Sequence, residues 1–497
     1  MSKFVVGLDL GTSSVRAGMF DMYGRKVALS SEGYDVYSPQ AGWAEQNSRE
    51  WWAGAKKALR KVMTGVDYSR IAGIGLCGQC PGNVLVNEQD EAIGNAIIWR
   101  DQRADKEAKW LVENISDSQM KTWTDTHLEY DPSAPPARLL WLRDHRPDDW
   151  ERTCVVLQPK DYIGLKLTGE KGTDIKSAYS LVNPKSGKYE KEYFDFTGIS
   201  IEKMPNVLPV TEVLGKVSKQ AAEETGLPAG TPVITGTIDA WCESIAGGVT
   251  QKGRAVDVSG TSEIVSMHSE VDYAGGQVYL ARLESENLQF LCGPTQGGGD
   301  ALKWVSNVVF QEEHVQNLYD RLQSLASHAP AGSSGVIFLP YLYGERAPIW
   351  DPYAKAIFYG LSGSHSKEHL VRAVYEGIGF VVRHILEICE EINARKADYL
   401  VVCGGGSQNM FWNQLKADIV QCPVKTIQVR ESACFGAAIL ASVGTAVFSN
   451  LKDACENMIQ FVETIEPNKG NALVYEEGFQ KYIMLYPALK EVYKVNR

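Results

Sequence analysis

The sequence predicts an α/β fold in two domains that arose by duplication of one unit. Two observations carry this prediction. A strand–turn–strand pattern containing an aspartate and a Gly-Thr-Ser turn occurs at residues 4–20 and again at 252–267. Apolar strands also lead repeatedly into polar or glycine-rich loops before a helix, as in sheets covered by helices. We therefore predict an N-terminal domain over 1–249, a C-terminal domain over 250–497, and a cleft between them.

The composition narrows the class of protein. The chain has 497 residues, 44% of them hydrophobic, which is enough for two large cores. Its net charge of −11 argues against nonspecific binding to nucleic acid or to an anionic membrane. No apolar run approaches the roughly 20 residues of a membrane span, and the N-terminus does not have the layout of a signal peptide. Several of the ten cysteines lie in apolar runs, which indicates a reduced, cytoplasmic protein.

The first strand–turn–strand pattern has the residues of a phosphate and magnesium corner. An apolar strand ends at Asp9 and is followed by Gly11, Thr12 and Ser13. Glycine lets the backbone approach an anion closely, amides and hydroxyls donate to phosphate oxygens, and a carboxylate can hold a hydrated Mg²⁺. The alternative is an ordinary hairpin with an acidic edge.

The stretch WRDQR at 99–103 is suited to a polyol. Asp101 can accept hydrogen bonds from hydroxyls, Arg103 can donate, and the Trp99 ring can cover an apolar face. The alternative is an ion-pair cluster on the surface. A helix is expected at about 138–143, after a proline-rich loop. Asp174 either faces the same cleft or caps a turn.

Asp239 lies between a predicted strand and a helix of small residues. A carboxylate in this position is well placed to react, although a helix N-cap would account for it equally.

The second half adds further glycine-rich turns. Residues 293–300, which include Gly299, predict a backbone nest that opens a helix at 301–309. A strand at 399–402 runs into three glycines and a helix, an arrangement that receives phosphate, although neither a P-loop nor a GxGxxG motif is present. The tail after residue 450 is expected to be covering helix.

Together these features describe phosphoryl transfer from a nucleotide to a hydroxyl. This chemistry needs donors around the phosphates, an anchor for Mg²⁺ and a carboxylate to take the alcohol proton. Asp239 fits the base and Asp9 the metal ligand, and the two could share the ion. The expected cofactors are ATP and Mg²⁺.

The chain resembles the FGGY carbohydrate kinases over nearly its whole length. The resemblance is carried by DLGTSSVR, WRDQR, PKDYIGLKLTGE, TGTIDA, SGTSE, GERAPIWDPYAKAIFYGLSG and CGGGSQNMFWNQLKADI, in the family's order. It implies the duplicated ribonuclease H/actin-like fold, with Asp239 as catalytic base and Asp9 and Thr12 at the Mg²⁺ and γ-phosphate. It also implies the following contacts to the nucleotide: Gly260 and Thr261 at the phosphates, and Gly405, Gly406 and Asn409 at the α-phosphate and adenosine.

The resemblance leaves the acceptor open. The loop LCGQCPG, with Gln79, Cys80 and Pro81, resembles the xylulokinase-like SGQMHG loop, but Cys-Pro replaces the Met-His pair that contacts the ketopentose. Asp239-Ala-Trp likewise replaces Asp-Asn-Ala. The expected acceptor is a ketopentose such as D-xylulose. The alternatives are ribulose, erythritol or a tetrulose, a glycerol-like polyol, or an actin- or Hsp70-like ATPase with no sugar acceptor. Whether the chains pair as a homodimer also stays open.

Overall fold

The protein divides into two compact units in the computed structural model, which describes residues 3–125, 130–273, 275–283, 286–310 and 317–495. The first unit contains the chain up to Ala246 together with Leu283–Asn287 and Ala433–Met458, and the second contains the rest. The domain boundary expected between residues 249 and 250 stays a prediction. None of the helices in the described ranges combines the length and apolar character needed to cross a membrane.

The first unit holds fourteen of the described strands. They are β1 (Phe4–Leu10), β2 (Ser14–Asp21), β3 (Lys26–Gly33), β4 (Glu45–Gln46), β5 (Ile71–Gly78), β6 (Val84–Val86), β7 (Ala96–Ile97), β8 (Val155–Leu157), β9 (Gly172–Asp174), β10 (Val182–Asn183), β11 (Lys188–Tyr189), β12 (Asn206–Leu208), β13 (Val213–Lys216) and β14 (Pro232–Ile238). The helices that precede residue 247 are α1 (Ser48–Met63), α2 (Asp105–Asn114), α3 (Asp117–Thr124), α4 (Pro135–His145), α5 (Pro147–Arg152), α6 (Pro159–Thr168), α7 (Lys191–Thr197), α8 (Lys219–Thr225) and α9 (Asp239–Ala246).

The later part of the chain forms the second unit and returns two helices to the first. Its strands are β15 (Arg254–Ser259), β16 (Glu263–His268), β17 (Tyr279–Leu283), β18 (Leu288–Pro294), β19 (Ile337–Leu339), β20 (Ile357–Tyr359), β21 (Tyr399–Cys403), β22 (Val424–Ile427) and β23 (Phe461–Ile465). Its helices are α10 (Gly299–Phe310), α11 (Leu318–Ser327), α12 (Lys367–Asn393), α13 (Met410–Val420), α14 (Ser432–Gly444), α15 (Leu451–Met458) and α16 (Ala472–Lys494).

The two central sheets share one order over six strands, and the second has a seventh strand, β17, at its edge. The first runs β13-β14-β5-β1-β2-β3 and the second β17-β18-β16-β15-β21-β22-β23. In each, an antiparallel hairpin is continued on one side by two parallel strands and then an antiparallel strand. On the other side of each hairpin an antiparallel strand follows. The duplicated two-domain α/β fold predicted from the sequence is therefore confirmed.

Apolar burial explains why the hairpin strand β1 is central. All seven residues of β1 are buried, as expected for a strand covered on both faces.

Helix α14 packs on this sheet so closely that a Cβ at Gly7 or Gly75 would lie within about 2 Å of a helix carbonyl oxygen. The small residues of α14 permit this contact. The helix therefore belongs to the first unit from Ala433 onward, although it lies late in the sequence.

Two expectations about secondary structure were wrong. Helix α4 begins at Pro135 rather than near residue 138, because proline fits the first turn, where no backbone donor is needed. The tail after residue 450 includes a strand, since β23 pairs antiparallel with β22 at the sheet edge.

Candidate active site

Three parallel strands bring the candidate residues of the first unit to one sheet edge. Strands β1, β5 and β14 are neighbours, and Gly78 at the end of β5 is in register with Leu10 on one side and Ile238 on the other. Asp9 therefore lies beside the end of β5, and Asp239 follows directly after β14 as the first residue of α9. Side chains at the carboxyl ends of parallel strands commonly form ligand sites.

Asp9 is a buried carboxylate with weak charge compensation. Its side chain is 3% exposed, and the guanidinium of Arg16, itself 46% exposed, lies 3.5 Å away. The thiol of Cys77 donates to Oδ1 at 3.5 Å. Burial raises the pKa of Asp9 to about 6, against the opposing effect of the Arg16 charge.

Asp239 is half-buried, and its charge is coupled to that of Asp9. The backbone N–H of Ala240 donates to its Oδ1 at 2.8 Å. Desolvation, followed by the negative charge of Asp9, raises the pKa of Asp239 to about 7. A carboxylate with this pKa can accept a proton from a hydroxyl at neutral pH and release it again.

The loop that contains Gly11, Thr12 and Ser13 is held by side chains on three sides. The indole Nε1 of Trp99 donates to the Thr12 hydroxyl at 2.9 Å, and Gln46 Nε2 donates to the Thr12 carbonyl at 2.7 Å. The amide of Gln79 then donates to Gln46 Oε1 at 2.7 Å. Trp99 and Gln79 are thus brought to the predicted phosphate loop, and Ser13 is exposed on it.

Asp101 and Arg103 form a buried ion pair with each other. Arg103 Nε and Nη2 donate to the two carboxylate oxygens of Asp101, both at 2.8 Å, and Nη2 also donates to Glu45. The N–H of Ala44 donates to Asp101 Oδ2 at 2.6 Å. The alternative of an ion pair is therefore correct, but the pair is buried rather than on the surface. The side chains of Asp101 and Arg103 are 0% and 1% exposed. The guanidinium also lies 3.7 Å from the centre of the Trp43 ring.

The Cys80–Pro81 loop contacts Gln158, Ser177 and Arg138. Burial raises the pKa of the Cys80 thiol, and among the charges acting on it is that of Asp239. The thiol is 3.8 Å from Gln158 Oε1, and Arg138 Nη1 donates to the Pro81 carbonyl at 3.2 Å.

A buried cluster next to Asp239 was missed by sequence reasoning. Lys160 Nζ contacts Asp161 at 2.6 Å and Asp174 at 3.1 Å, and it donates to the carbonyl of Thr235 at 3.2 Å. Asp174 accepts from the hydroxyl of Thr237 at 2.8 Å. The available signal was the adjacent lysine and aspartate after a buried strand, but nothing local showed that both would be buried.

In the second unit, the glycine turns pack directly on one another. Gly299 donates to the Gly260 carbonyl at 3.1 Å, and Asp300 donates to that of Thr261 at 3.2 Å. A Cβ at Gly299 would come within 2.5 Å of the Gly260 oxygen, so glycine is required for this approach. Helix α10 begins at Gly299, two residues before its predicted start. The amides of Gly298, Gly299 and Asp300 already donate to protein oxygens, and the predicted anion-binding nest stays a prediction.

The triple-glycine turn after β21 combines close packing with open space. A Cβ on Gly406 would meet Ser259 Oγ at 2.2 Å, whereas a Cβ on Gly405 would meet no protein atom within 4 Å. Asn409 caps α13 by accepting from the Trp412 N–H at 3.0 Å. The Trp412 N–H is thus already used by this cap, and the open space in this turn lies beside Gly405.

A second buried lysine lies beneath these turns. Lys416 Nζ is 2.5 Å from Asp257, 2.8 Å from Glu263 and 2.9 Å from Ser259 Oγ. All four residues are fully buried. The cluster holds the ends of the hairpin β15–β16 against α13.

Comparison with known proteins gives a consistent result. The model of the N-terminal domain of the FGGY family of carbohydrate kinases matches residues 4–245, and that of the C-terminal domain matches 255–445. The chain is 28% identical to the xylulose kinase of Bacillus subtilis (strain 168) over 99% of its length and 98% of that protein. It is 30% identical to the L-xylulose/3-keto-L-gulonate kinase of Escherichia coli (strain K12), with the same coverage.

Solved structures agree with this result over the full length. A gluconate kinase from Lactobacillus acidophilus has a TM-score of 0.89 and 26% identity, covering all of both chains. A xylulose kinase from Rhodospirillum rubrum has a TM-score of 0.88 and 28% identity, covering 99% of this chain and all of that one.

Proposed function

The chain belongs to the FGGY family of carbohydrate kinases, and from this premise we propose that it phosphorylates a ketopentose, using ATP and Mg²⁺. The observation that carries the chemical part of the proposal is the pair Asp9 and Asp239, two carboxylates at one sheet edge. The similarity to xylulose kinases supports a ketopentose such as D-xylulose. The similarity to a gluconate kinase of nearly equal TM-score makes D-gluconate the second candidate.

In this proposal Asp239 is the general base. Its carboxylate would take the proton of the acceptor hydroxyl while that oxygen forms a bond to the γ-phosphorus of ATP. The bond from this phosphorus to the β,γ-bridging oxygen breaks, and ADP leaves. The raised pKa, about 7, matches the task of a base at neutral pH. As the first residue of α9, Asp239 is fixed by the backbone and by the Ala240 N–H rather than by a flexible loop.

The residues of the first unit fit a divalent cation. Asp9 is buried, and among the described residues the cation paired with it is an exposed arginine at 3.5 Å, so a metal ion beside it would relieve an unfavourable desolvated charge. Asp239 is the second candidate ligand. When bound, Mg²⁺ supplies positive charge to the phosphates of the nucleotide. Gly11, Thr12 and Ser13 are proposed to donate to phosphate oxygens from the same loop.

The second unit fits the remainder of the nucleotide. We assign Gly260, Thr261 and Gly299 to the phosphates, and Gly405, Gly406 and Asn409 to the α-phosphate and adenosine. The space beside Gly405 supports this assignment, since it leaves backbone exposed where an anion can approach. Gln79, Cys80 and Pro81 are proposed to line the acceptor site with Trp99. The charged groups of Asp101 and Arg103 are hydrogen-bonded to each other. We propose that this pair holds the residues of that site in position.

The test is ADP release in the presence of ATP and Mg²⁺. The acceptors would be D-xylulose, L-xylulose, D-ribulose, erythritol, glycerol and D-gluconate. The proposal expects one ketopentose to be preferred and Asp239→Ala to abolish turnover while nucleotide binding is retained. ATP hydrolysis indifferent to every acceptor would contradict it and favour the ATPase alternative.

A further inference from the structure

Lys176 is held next to the strand that leads into Asp239. It follows β9, and its backbone N–H donates to Asp174 Oδ2 at 3.1 Å. The same oxygen accepts from the hydroxyl of Thr237 at 2.8 Å, two residues before Asp239 in the chain. One buried carboxylate thus ties the Lys176 loop to the end of β14. The position of Lys176 relative to Asp239 is fixed by packing and hydrogen bonds.

The ammonium group of Lys176 lies near the rings of Tyr179 and Trp241. Its Nζ is 4.9 Å from the centre of the Tyr179 ring and 5.5 Å from the centre of the Trp241 ring. Trp241 is in the first turn of α9, two residues after Asp239. The positive charge of Lys176 also acts on the thiol of Cys80. Lys176 itself is half-buried, so its charge is only partly screened by water.

The acceptor loop itself offers little for orienting a sugar. A thiol is a weak donor and proline has no side-chain donor, so Cys80 and Pro81 cannot hold a carbonyl oxygen strongly. The amide of Gln79 donates to Gln46, and Arg103 donates to Asp101 and Glu45. A cationic donor brought in from another loop would fill this role. Lys176 directly precedes Ser177, whose carbonyl oxygen lies 4.0 Å from the Cys80 thiol.

We propose that Lys176 is a specificity-determining residue that donates a hydrogen bond to a carbonyl or carboxylate oxygen of the acceptor. This inference rests on the proposed function and specifies its substrate class. A 2-ketose and a sugar acid both present such an oxygen, whereas a simple polyol presents hydroxyl groups alone. Trp241 covers the carbon chain next to it, as aromatic rings do in sugar sites.

The test compares acceptors with and without this oxygen. The variants are Lys176→Met, which keeps the aliphatic length, and Lys176→Arg, which keeps the charge. Lys188→Met, at an exposed lysine of the same unit, is the matched control. For each variant, kcat and KM are measured with D-xylulose, L-xylulose and D-gluconate, and xylitol is measured as a substrate or as a competitive inhibitor.

A hydrogen bond from a charged donor predicts a selective loss of acceptor affinity. Lys176→Met should reduce kcat/KM for the preferred ketose or sugar acid about tenfold to a hundredfold, mainly through KM. The affinity for xylitol, the KM for ATP and the thermal unfolding temperature should stay close to the wild-type values. Lys176→Arg should recover part of the loss. A preference for D-gluconate would indicate that Lys176 donates to a carboxylate oxygen. A preference for a ketopentose would indicate that it donates to the carbonyl oxygen.

Two results would overturn the inference. If Lys176→Met weakens the ketose or acid and xylitol by the same factor, Lys176 does not read the carbonyl or carboxylate oxygen. If it leaves kcat/KM unchanged, Lys176 does not contact the acceptor, even though the kinase proposal would stand. A wild-type enzyme that phosphorylates no acceptor would instead reject the proposed function, and this inference with it.

Discussion

Replacing Asp239 by asparagine should remove turnover and at the same time make the protein more stable above pH 7. Both effects have one cause, because the carboxylate is held where its charged form is unfavourable. Burial and the charge of Asp9 raise its pKa from the ordinary value of 3.8 to about 7. The unfolded chain lacks this environment, so its Asp239 ionises at the ordinary value.

The sign and size of the stability effect follow from this difference. A carboxyl whose pKa is raised by folding makes its full contribution to stability below pH 3.8, the pKa in the unfolded chain. The contribution declines as the pH rises and is lost above the folded-state pKa of about 7. A pKa difference of about three units between the folded and unfolded states changes the free energy of unfolding by at most about 4 kcal/mol. Because Asp239 is half-buried and coupled to Asp9, we expect Asp239→Asn to gain roughly 1 to 4 kcal/mol at pH 8.

The assay is thermal unfolding from pH 4 to pH 8, with ADP release measured on the same samples. The gain from Asp239→Asn should be small at pH 4, grow up to pH 7 and then level off. Turnover should fall about a hundredfold to ten-thousandfold. In the wild-type enzyme, kcat/KM for the acceptor should rise with pH through about 7. Asp148→Asn, at an exposed aspartate of the same unit, is the control and should change neither quantity.

Each half of this reasoning can fail separately. Wild-type-like turnover of Asp239→Asn would remove Asp239 as the base. Lost turnover with a stability difference that does not vary between pH 4 and pH 8 would show that the carboxylate is not destabilised by its surroundings.

Three further substitutions test the glycine turn and the buried pairs. Gly405→Ala should raise KM for ATP about tenfold, because the added Cβ would enter the proposed phosphate space. The unfolding temperature should not change, since this Cβ would meet no protein atom within 4 Å. Gly363→Ala, at an equally open position, should leave KM unchanged. Asp101→Ala should cost about 2 to 4 kcal/mol of unfolding free energy in urea titrations, since the buried Arg103 guanidinium would lose its bidentate partner and keep the bond to Glu45, and an unchanged midpoint would contradict this. Lys416→Met should destabilise by about 3 to 5 kcal/mol. The loss should be smaller at pH 5 than at pH 8, because burial raises the pKa of Glu263 and its protonation relieves the charge left without the lysine. An equal loss at the two pH values in calorimetry would contradict this.

The positions of Asp9 and Asp239 were predictable because they depend on local patterns. Each follows an apolar strand, and parallel strands bring their carboxyl ends to a common edge. The glycine turns were predictable for the same reason, since Gly299 and Gly406 lie where the backbone packs too closely for a side chain. The charge coupling between the two aspartates was not predictable, because it depends on burial and on distances set by the whole sheet.

The burial of Lys416 could not be predicted, because its partners are remote in sequence. Lys416 pairs with Asp257, 159 residues away, and no local pattern marks either residue as buried. Asp101 and Arg103 are close in sequence, yet their spacing fits a surface pair as well as a buried one. Strand β23 was missed because four of its five residues are exposed, so it lacks the apolar alternation that indicates a strand.

A comparison of the two hairpins shows why Asp9 and not Asp257 is the functional candidate. Asp257 is the aspartate of the second copy, displaced by one residue along its strand relative to Asp9. Lys416 Nζ lies 2.5 Å from it and both side chains are buried. That carboxylate is already compensated and serves to hold β15 against α13. Among the described residues, the cation paired with Asp9 is the exposed guanidinium of Arg16, at 3.5 Å, and burial raises the pKa of Asp9 against the effect of this charge. Because burying a charge without a close partner is costly, such a carboxylate is expected where a cation binds, whereas a fully paired one needs no ligand.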